Sequence, residues 1–289
     1  MVTVFIPKER RAGESRVAAT PETIKKLVKA GVRVLVESGA GHGAHLDDDA
    51  FEAAGADVVG DGREGWGAAD LVLKVAPLER AEAEGLREGA AVVGLLAPHK
   101  SADTIALLSQ RRVTALAMEL VPRISRAQKM DALSSQASLA GYKAVVLAAA
   151  HLGKYFPLMM TAAGTVHPAK VVVMGAGVAG LQALATARRL GATVEVSDIR
   201  PAVKEQVESL GGRFIDLPMD ESGEGTGGYA KEVSAEFLRR QQEIVAEKIA
   251  AADVVITTAL VPGKPAPRLV TSQMVARMRP GAVIVDLAA

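Results

Sequence analysis

The sequence predicts an α/β protein made of two Rossmann-like domains with mainly parallel sheets, joined by a long helix. In both halves of the 289 residues, short runs rich in valine and leucine alternate with helical patterns. These runs lack the strict apolar–polar alternation of half-exposed strands, which favours strands covered on both faces. A helical pattern without proline, from about Ala127 to Leu152, separates the two halves.

The first half predicts a set of strands with helices between them. The predicted strands are Val2–Pro7, Arg33–Gly39, Asp70–Ala76, Ala91–Ala97 and Thr114–Val121. The predicted helices are Pro21–Ala30, Asp47–Ala54 and Ala102–Arg111. Thr20 is a suitable N-cap for the first helix, and Pro21 suits its first position. Repeated strand–helix–strand units imply a mainly parallel sheet.

The second half repeats this organisation after a link at Tyr155–Pro168. Its predicted strands are Lys170–Met174, Thr193–Asp198, Arg213–Leu217, Asp253–Ala259 and Ala282–Leu287. Its predicted helices are Ala179–Leu190, Ala202–Leu210, Ser234–Ala251 and Ser272–Met278. We therefore predict an N-terminal α/β domain at residues 1–140 and a Rossmann nucleotide-binding domain at residues 141–289.

Composition excludes several classes of function. Lys and Arg (34) balance Asp and Glu (33), and aromatic residues make up 3%, which argues against a nucleic-acid partner. Cysteine is absent, and the five histidines form no obvious cluster, so we predict no metal site. The chain begins without an apolar signal segment, which predicts a cytoplasmic location. The apolar run Val171–Ala187 contains three glycines and favours a strand, a turn and a helix over a membrane span.

The segment Gly175-Ala176-Gly177-Val178-Ala179-Gly180 matches the dinucleotide-binding pattern G-x-G-x-x-G, between a predicted strand and a predicted helix. The spacing predicts a tight turn, close approach to a pyrophosphate, and phosphates at the helix N-terminus. Asp198 follows Gly180 by 18 residues and is positioned to accept hydrogen bonds from the adenosine ribose. We therefore favour NAD over NADP, although Arg200 can accommodate the extra phosphate. The alternative is a glycine turn that binds nothing.

A polar segment, residues 123–136, lies where the first predicted domain ends. Gln128, Asp131 and Ser134 are spaced i, i+3 and i+6, and they share one face if a helix already covers them. Such a row suits an amide and ribose hydroxyls facing the glycine turn. From spacing alone, an ordinary capped helix start with solvated polar residues is the slightly better interpretation.

Longer motifs resemble a known family. The run from Met130 to Tyr142 (MDALSSQASLAGY) is similar to domain I of proton-translocating nicotinamide nucleotide transhydrogenases. So are Met159–Thr165, Gly227–Glu232 and Thr257–Pro267, while Pro7–Glu9 and Glu14–Ala18 are shared with the related alanine dehydrogenases. The resemblance spans almost the whole chain.

The resemblance implies an enzyme component that binds NAD(H) and transfers a hydride directly from NADH to NADP+ on a partner domain. It implies that Arg123, Gln128, Asp131 and Ser134 contact the nicotinamide half. It also implies that residues bordering the nucleotide include Ile199 and Arg200 beside Asp198, and further along the chain Gly228, Tyr229, Gln241 and Leu260. The expected partners are an NADP(H)-binding transhydrogenase domain and a membrane-spanning subunit that couples transfer to proton translocation.

The resemblance further implies a homodimer, held at the inner membrane through its partner subunits and without direct membrane insertion. Family members continue past a strand like Ala282–Leu287 with a segment that returns to the first domain, and we expect that segment to be missing from this chain. The loop Pro218–Tyr229 contains four glycines and predicts a lid, hinged at Gly227 and Gly228, that brings Tyr229 over the nucleotide. The alternative is a disordered surface insertion.

Two other functions stay open. An alanine dehydrogenase-like amino-acid oxidoreductase needs a proton-transfer group beside its substrate. Lys74 matches a substrate-site lysine of that family, but the family's catalytic histidine falls near Ala97, and His99 is displaced from it. A strand-end charge is the better interpretation of Lys74. The second alternative is a module that senses NAD(H) without turnover.

Overall fold

The computed structural model describes residues 1–216, 235–260 and 265–288, with the backbone alone at 235–238 and at 241. The chain divides into two compact units, Met1–Ala132 and Leu133–Ala289. Within the described ranges, every helix is too short or too polar to span a bilayer.

The first unit contains a six-stranded sheet in the order β3-β2-β1-β4-β5-β6. All neighbouring strands are parallel. The strands are β1 Thr3–Ile6, β2 Arg33–Glu37, β3 Asp57–Val59, β4 Leu71–Leu73, β5 Ala91–Gly94 and β6 Thr114–Ala117. The order reverses between β1 and β4, so the carboxyl ends of these two strands border the crevice where doubly wound sheets bind ligands.

Helices cover both faces of this sheet. They are α1 Pro21–Lys29, α2 Asp48–Glu52, α3 Gly62–Ala68, α4 Arg80–Gly85 and α5 Ala102–Gln110. As predicted, Thr20 caps α1, and its hydroxyl accepts from Thr23 N at 3.4 Å. Alternate residues of β1 enter different cores, because successive strand side chains point to opposite faces. Phe5 packs edge-on against Trp66, with ring centroids 5.5 Å apart, while Val4 and Ile6 belong to the core on the other face.

The second unit repeats the strand order with one edge strand fewer: β11-β10-β9-β12-β13, all parallel. Its strands are β9 Lys170–Met174, β10 Thr193–Ser197, β11 Arg213–Phe214, β12 Val254–Thr257 and β13 Val283–Asp286. A separate antiparallel hairpin precedes them, formed by β7 Met159–Thr161 and β8 Gly164–Val166. Here the order reverses between β9 and β12, which places the crevice at their carboxyl ends.

The helices of the second unit are α6 Ala132–His151, α7 Val178–Arg189, α8 Lys204–Ser209, α9 Ala235–Ala251 and α10 Ser272–Ala276. Small residues bring α6 close to α7, since a Cβ at Gly141 would collide with the carbonyl oxygen of Ala179. Ala144, Val145 and Ala148 of α6 are buried in the same core as Val171 of β9. The long helix therefore supports the start of α7, where the glycine motif lies.

The predicted fold class is confirmed, and most predicted elements are present with ends shifted by a few residues. The predicted helix start at Ala127 is wrong. Residues Ser125–Met130 form a 3-10 helix, Asp131 has φ −76° and ψ 78°, and α6 begins at Ala132. Four further features, β3, α3, α4 and the β7–β8 hairpin, were not predicted, because they are short or rich in glycine.

Candidate functional site

The glycine motif forms a tight turn between β9 and α7. Gly175 has φ +106°, a conformation that favours glycine, and its N–H donates to Ser197 O at 2.8 Å. A Cβ at Gly180 would collide with the carbonyl oxygen of Gly175, so the third glycine lets α7 pack close to the turn. At Gly177, by contrast, a Cβ would meet no described atom within 4 Å. The middle glycine is therefore required neither for its backbone conformation nor for packing within the described chain.

The turn leads directly into the positive end of a helix. Gly177 is the N-cap of α7, and the first hydrogen bond of the helix runs from Leu181 N to Gly177 O. The N–H groups of Val178, Ala179 and Gly180 lie ahead of that bond, at the end of the helix where N–H groups have no intrahelical acceptor. Together with the helix dipole, such N–H groups form an anion-binding site.

Asp198 follows β10 and is 7% exposed. Its Oδ2 accepts from Ala176 N at 2.6 Å, inside the glycine motif, and from Arg200 Nη2 at 2.8 Å. Its Oδ1 accepts from the backbone N of Arg200 at 2.8 Å and from the Nε of Arg200 at 2.9 Å. The carboxylate predicted to hold a ribose thus lies beside the glycine turn and is paired with Arg200.

Thr258 supports the turn from the opposite side and was not among the predicted site residues. It directly follows β12, and its Oγ1 donates to the carbonyl oxygens of Gly175 at 2.9 Å and Met174 at 3.2 Å. Its backbone N–H also donates to Met174 O at 2.9 Å. A signal existed in the sequence, because β12 was predicted as a buried strand and Thr258 stands at its carboxyl end.

The polar segment 123–136 is divided between structural elements. In the first unit, Arg123 Nε lies 4.0 Å from Asp131 Oδ2, and both side chains are about one-quarter exposed, at 27% and 24%. Gln128 lies in the 3-10 helix, whereas Ser134 lies in α6. The expectation that Gln128, Asp131 and Ser134 share one face of a continuous helix is therefore wrong, because the helix begins only after Asp131.

Three further predicted site residues lie partly or wholly outside the described residues. Gly228 and Tyr229, with the predicted lid, fall in the range 217–234 and are not described. Gln241 lies in α9, but its side chain is outside the described set. Leu260 is described: it follows Thr258 by two residues and is 57% exposed.

The crevice of the first unit contains an ion cluster instead of a glycine turn. Lys74, the residue after β4, has a side chain that is 2% exposed and lies 2.8 Å from Glu9 Oε2 and 3.3 Å from Glu82 Oε1. Glu9 also accepts from the N–H groups of Val75 at 2.6 Å and Ala76 at 3.2 Å. Burial raises the pKa of Glu82, although the nearby ammonium of Lys74 acts to lower it. The cluster fills this crevice with the chain's own side chains.

The loop after β5 contains the position expected for a catalytic histidine in the alanine dehydrogenase interpretation. Ala97 has φ +46°, a left-handed conformation that is uncommon for a residue other than glycine. Its N–H donates to Glu119, as does the N–H of Leu96 at 3.2 Å. His99 is two residues further along the loop. The position itself therefore offers a methyl group and no proton-transfer group.

The fold and the glycine turn define a doubly wound protein of the dinucleotide-binding class. Family models describe the same two regions. The model "Alanine dehydrogenase/PNT, N-terminal domain" matches residues 5–140, and "Alanine dehydrogenase/PNT, C-terminal domain" matches residues 144–289. The chain belongs to the alanine dehydrogenase/PNT family.

Individual relatives confirm the resemblance to transhydrogenases. The chain is 53% identical to an NAD(P) transhydrogenase subunit alpha protein of Rhodospirillum rubrum, an alignment that covers 99% of this chain and 76% of the relative. The crystal structure of transhydrogenase from Sinorhizobium meliloti has a TM-score of 0.89 at 50% identity, covering 99% of this chain and 78% of that one. The alanine dehydrogenase of Mycobacterium tuberculosis is 35% identical, over 99% of this chain and 72% of the relative.

Proposed function

We propose that the chain is the NAD(H)-binding component of a proton-translocating transhydrogenase and passes a hydride from NADH directly to NADP+ held by a partner domain. The observation that carries this proposal is the glycine turn, with Asp198 on one side and Thr258 on the other. The 53% identity to a transhydrogenase subunit alpha supports the assignment to this branch of the family.

The turn suits the adenosine and pyrophosphate half of NADH. The open space at Gly177 allows a phosphate to approach the backbone, and the N–H groups at the start of α7 are suitable donors to it. Asp198 would accept from the adenosine ribose hydroxyls, which favours NAD(H), since a carboxylate repels the extra phosphate of NADP(H). Ile199, Arg200 and Leu260 would border the same half of the nucleotide.

The nicotinamide half is assigned to Arg123, Gln128, Asp131 and Ser134, on the strength of the family resemblance. Hydride transfer between two nicotinamides needs no proton donor from the protein. The protein's contribution is to orient the ring, exclude water and shape the local charge. The ion pair of Arg123 and Asp131, at 4.0 Å, would give this region a defined arrangement of charge beside the ring. Gly228, Tyr229 and Gln241 complete the proposed site.

The proposal also includes the partners. Proton coupling would reside in a membrane-spanning subunit, and NADP(H) would be held by a separate transhydrogenase domain. We propose a homodimer, located in the cytoplasm at the inner membrane through these partners. Sedimentation of the chain at micromolar concentration tests the dimer, and a stable monomer would contradict it.

The ion cluster argues against the alanine dehydrogenase-like alternative. The ammonium of Lys74 lies between two carboxylates, so its charge is already neutralised and its donors are directed at Glu9 and Glu82. An amino-acid substrate would have to displace a buried carboxylate to reach it, at a substantial cost. Ala97 supplies no general acid or base in the place expected for one.

The experiment is a single-turnover reaction. The chain is saturated with NADH deuterated at the transferred position and mixed with the NADP-binding partner domain and NADP+. We expect deuterium in the NADPH formed. Binding of NADH without transfer would indicate the sensing module instead, and alanine-dependent reduction of NAD+ would indicate the dehydrogenase.

Variants of the polar segment test the assignment of the nicotinamide half. Arg123→Ala and Gln128→Ala should slow transfer by at least tenfold while changing the dissociation constant of NADH much less, because the adenosine half supplies much of the affinity. Arg126→Ala is the matched control, since Arg126 is an exposed residue of the same 3-10 helix outside the proposed site. Normal transfer in both test variants would return the segment to an ordinary helix start.

A further inference from the structure

Asp198 uses the full hydrogen-bonding capacity of its carboxylate. Each oxygen accepts two hydrogen bonds: Oδ1 from the backbone N and Nε of Arg200, and Oδ2 from Ala176 N and Arg200 Nη2. The guanidinium supplies one donor to each oxygen, in the bidentate geometry that gives arginine–carboxylate pairs their strength. Both side chains are largely buried, at 14% exposure for Arg200 and 5% for Asp198.

We infer that Arg200 is a specificity-determining residue, because its guanidinium holds the two acceptor positions that a ribose diol would use. The inference rests on the proposed function, in which Asp198 accepts from the adenosine ribose. Binding of NADH would then exchange the two guanidinium donors for two hydroxyl donors. The backbone donors Ala176 N and Arg200 N can keep their bonds to the carboxylate throughout.

The same pair excludes NADP(H) in two ways. The carboxylate of Asp198 repels a 2′-phosphate, and it also holds the guanidinium that would otherwise attract that phosphate. Arginine is the side chain best suited to bidentate phosphate recognition, and in related folds an arginine near this position accommodates NADP. The pair as a whole carries no net charge, so neither member acts with its full charge on the nucleotide while the other is present.

Neutralising either member should therefore expose the preference of the other. Removal of the negative charge at Asp198 leaves a cation beside the ribose, which favours the 2′-phosphate. Removal of the positive charge at Arg200 leaves a carboxylate whose acceptors need not be vacated before the diol binds. The two substitutions should move nucleotide preference in opposite directions, which a purely structural role of the pair would not do.

The test measures dissociation constants of NADH and NADPH by fluorescence titration at one ionic strength. The variants are Asp198→Asn, Arg200→Gln and the double variant. In Asp198→Asn, an amide oxygen still accepts from Ala176 N, and the amide nitrogen no longer accepts from Arg200. We expect this variant to bind NADPH at least tenfold more tightly than the unsubstituted chain, and the double variant to lose that gain. Arg200→Gln should bind NADH several-fold more tightly and associate with it faster.

Lys204→Gln is the matched control. Lys204 lies four residues beyond Arg200, but its partner is Asp216, 2.6 Å away and exposed. Loss of this charge should change both dissociation constants less than twofold. A gain in NADPH binding as large as that of Asp198→Asn would show that net charge alone sets the preference and would overturn the role of Arg200.

Two other results overturn the inference: equal NADPH binding by Asp198→Asn and the double variant, or weaker NADH binding by Arg200→Gln. Thermal unfolding monitors folding, and Asp198→Ala replaces Asp198→Asn if the latter does not fold. Failure of the proposed function looks different. The unsubstituted chain would then fail to bind NADH, whereas failure of the inference leaves tight NADH binding and changes only the pattern among the variants.

Discussion

The two units of the chain share a strand order but differ in what occupies the crevice at its reversal. In the first unit, the residue after the fourth strand of the order is Lys74, which forms a buried cluster with Glu9 and Glu82. In the second unit, the corresponding residue is Thr258, which hydrogen-bonds the backbone of an open glycine turn. One crevice is closed by charged side chains, whereas the other presents backbone.

The units also share a carboxylate at the end of their second strand. Glu37 accepts from Lys8 N at 2.9 Å and pairs with Arg10 at 2.5 Å, much as Asp198 accepts from Ala176 N and pairs with Arg200. A carboxylate in this place is therefore not sufficient for a nucleotide site. The difference teaches that the doubly wound frame supplies a position for a site, and that the residues after the first and fourth strands determine whether a ligand can enter it.

The largest effect is expected from breaking the cluster of the first unit. Lys74→Met leaves two carboxylates buried without their cation, and loss of one partner of a buried pair costs about 3–5 kcal/mol. Urea unfolding should show this loss in the free energy of unfolding. Arg112→Met is the control, because its pair with Glu88 is 80% and 69% exposed and should contribute less than about 1 kcal/mol. Equal losses in the two variants would refute the buried cluster as a stabilising element.

The next effect concerns the open glycine of the second unit. Gly177→Ala should leave the melting temperature almost unchanged, since the added methyl group meets no described atom within 4 Å. It should weaken NADH binding at least tenfold, about 1.4 kcal/mol, because the methyl group occupies the space of the pyrophosphate. Gly67→Ala, a comparably open position in α3, should change neither quantity much. Unaltered NADH affinity in Gly177→Ala would place the phosphates elsewhere.

A smaller effect is expected at Thr258. Thr258→Val removes the hydroxyl that donates to Gly175 O, a bond of about 1 kcal/mol, and should raise the dissociation constant of NADH about fivefold. Thr258→Ser keeps the hydroxyl and should restore most of the affinity. If serine and valine behave alike, the shape of the side chain matters and the hydrogen bond does not.

The smallest effect is a change in pH dependence. Burial raises the pKa of Glu82, so the folded chain keeps this proton to a higher pH than the unfolded chain does. The resulting stabilisation is complete below about 4.5, the ordinary value for the group, and is lost as the pH rises through the raised pKa of the folded state. Unfolding free energies of the unsubstituted chain minus those of Glu82→Gln should fall as the pH rises above this value. A rising difference would contradict the direction of the pKa shift.

The sequence was most informative where local chemistry determines local structure. The glycine pattern, its flanking strand and helix, and Asp198 were predictable because the tight turn restricts which residues can form it. The cap of α1 by Thr20 was predictable for the same reason, since both partners lie within one turn of the chain.

The sequence failed where distant contacts decide the outcome. Helix α3 contains three glycines in seven residues and has poor helix propensity, yet it packs so closely that a Cβ at Gly65 would collide with Phe5. The delayed start of α6 depends on the backbone of Asp131, which spacing does not reveal. The pairing of Arg200 with Asp198 was also hidden, because the sequence shows both charges but not the direction of either side chain.

Amide hydrogen exchange with and without NADH tests the contrast between the two crevices most directly. NADH should increase protection at residues 176–181, where the turn enters α7, and leave residues 74–76 unchanged, because their N–H groups already donate to Val93 O and Glu9. Increased protection at 74–76 without a change at 176–181 would contradict the assignment of the nucleotide site to the second unit.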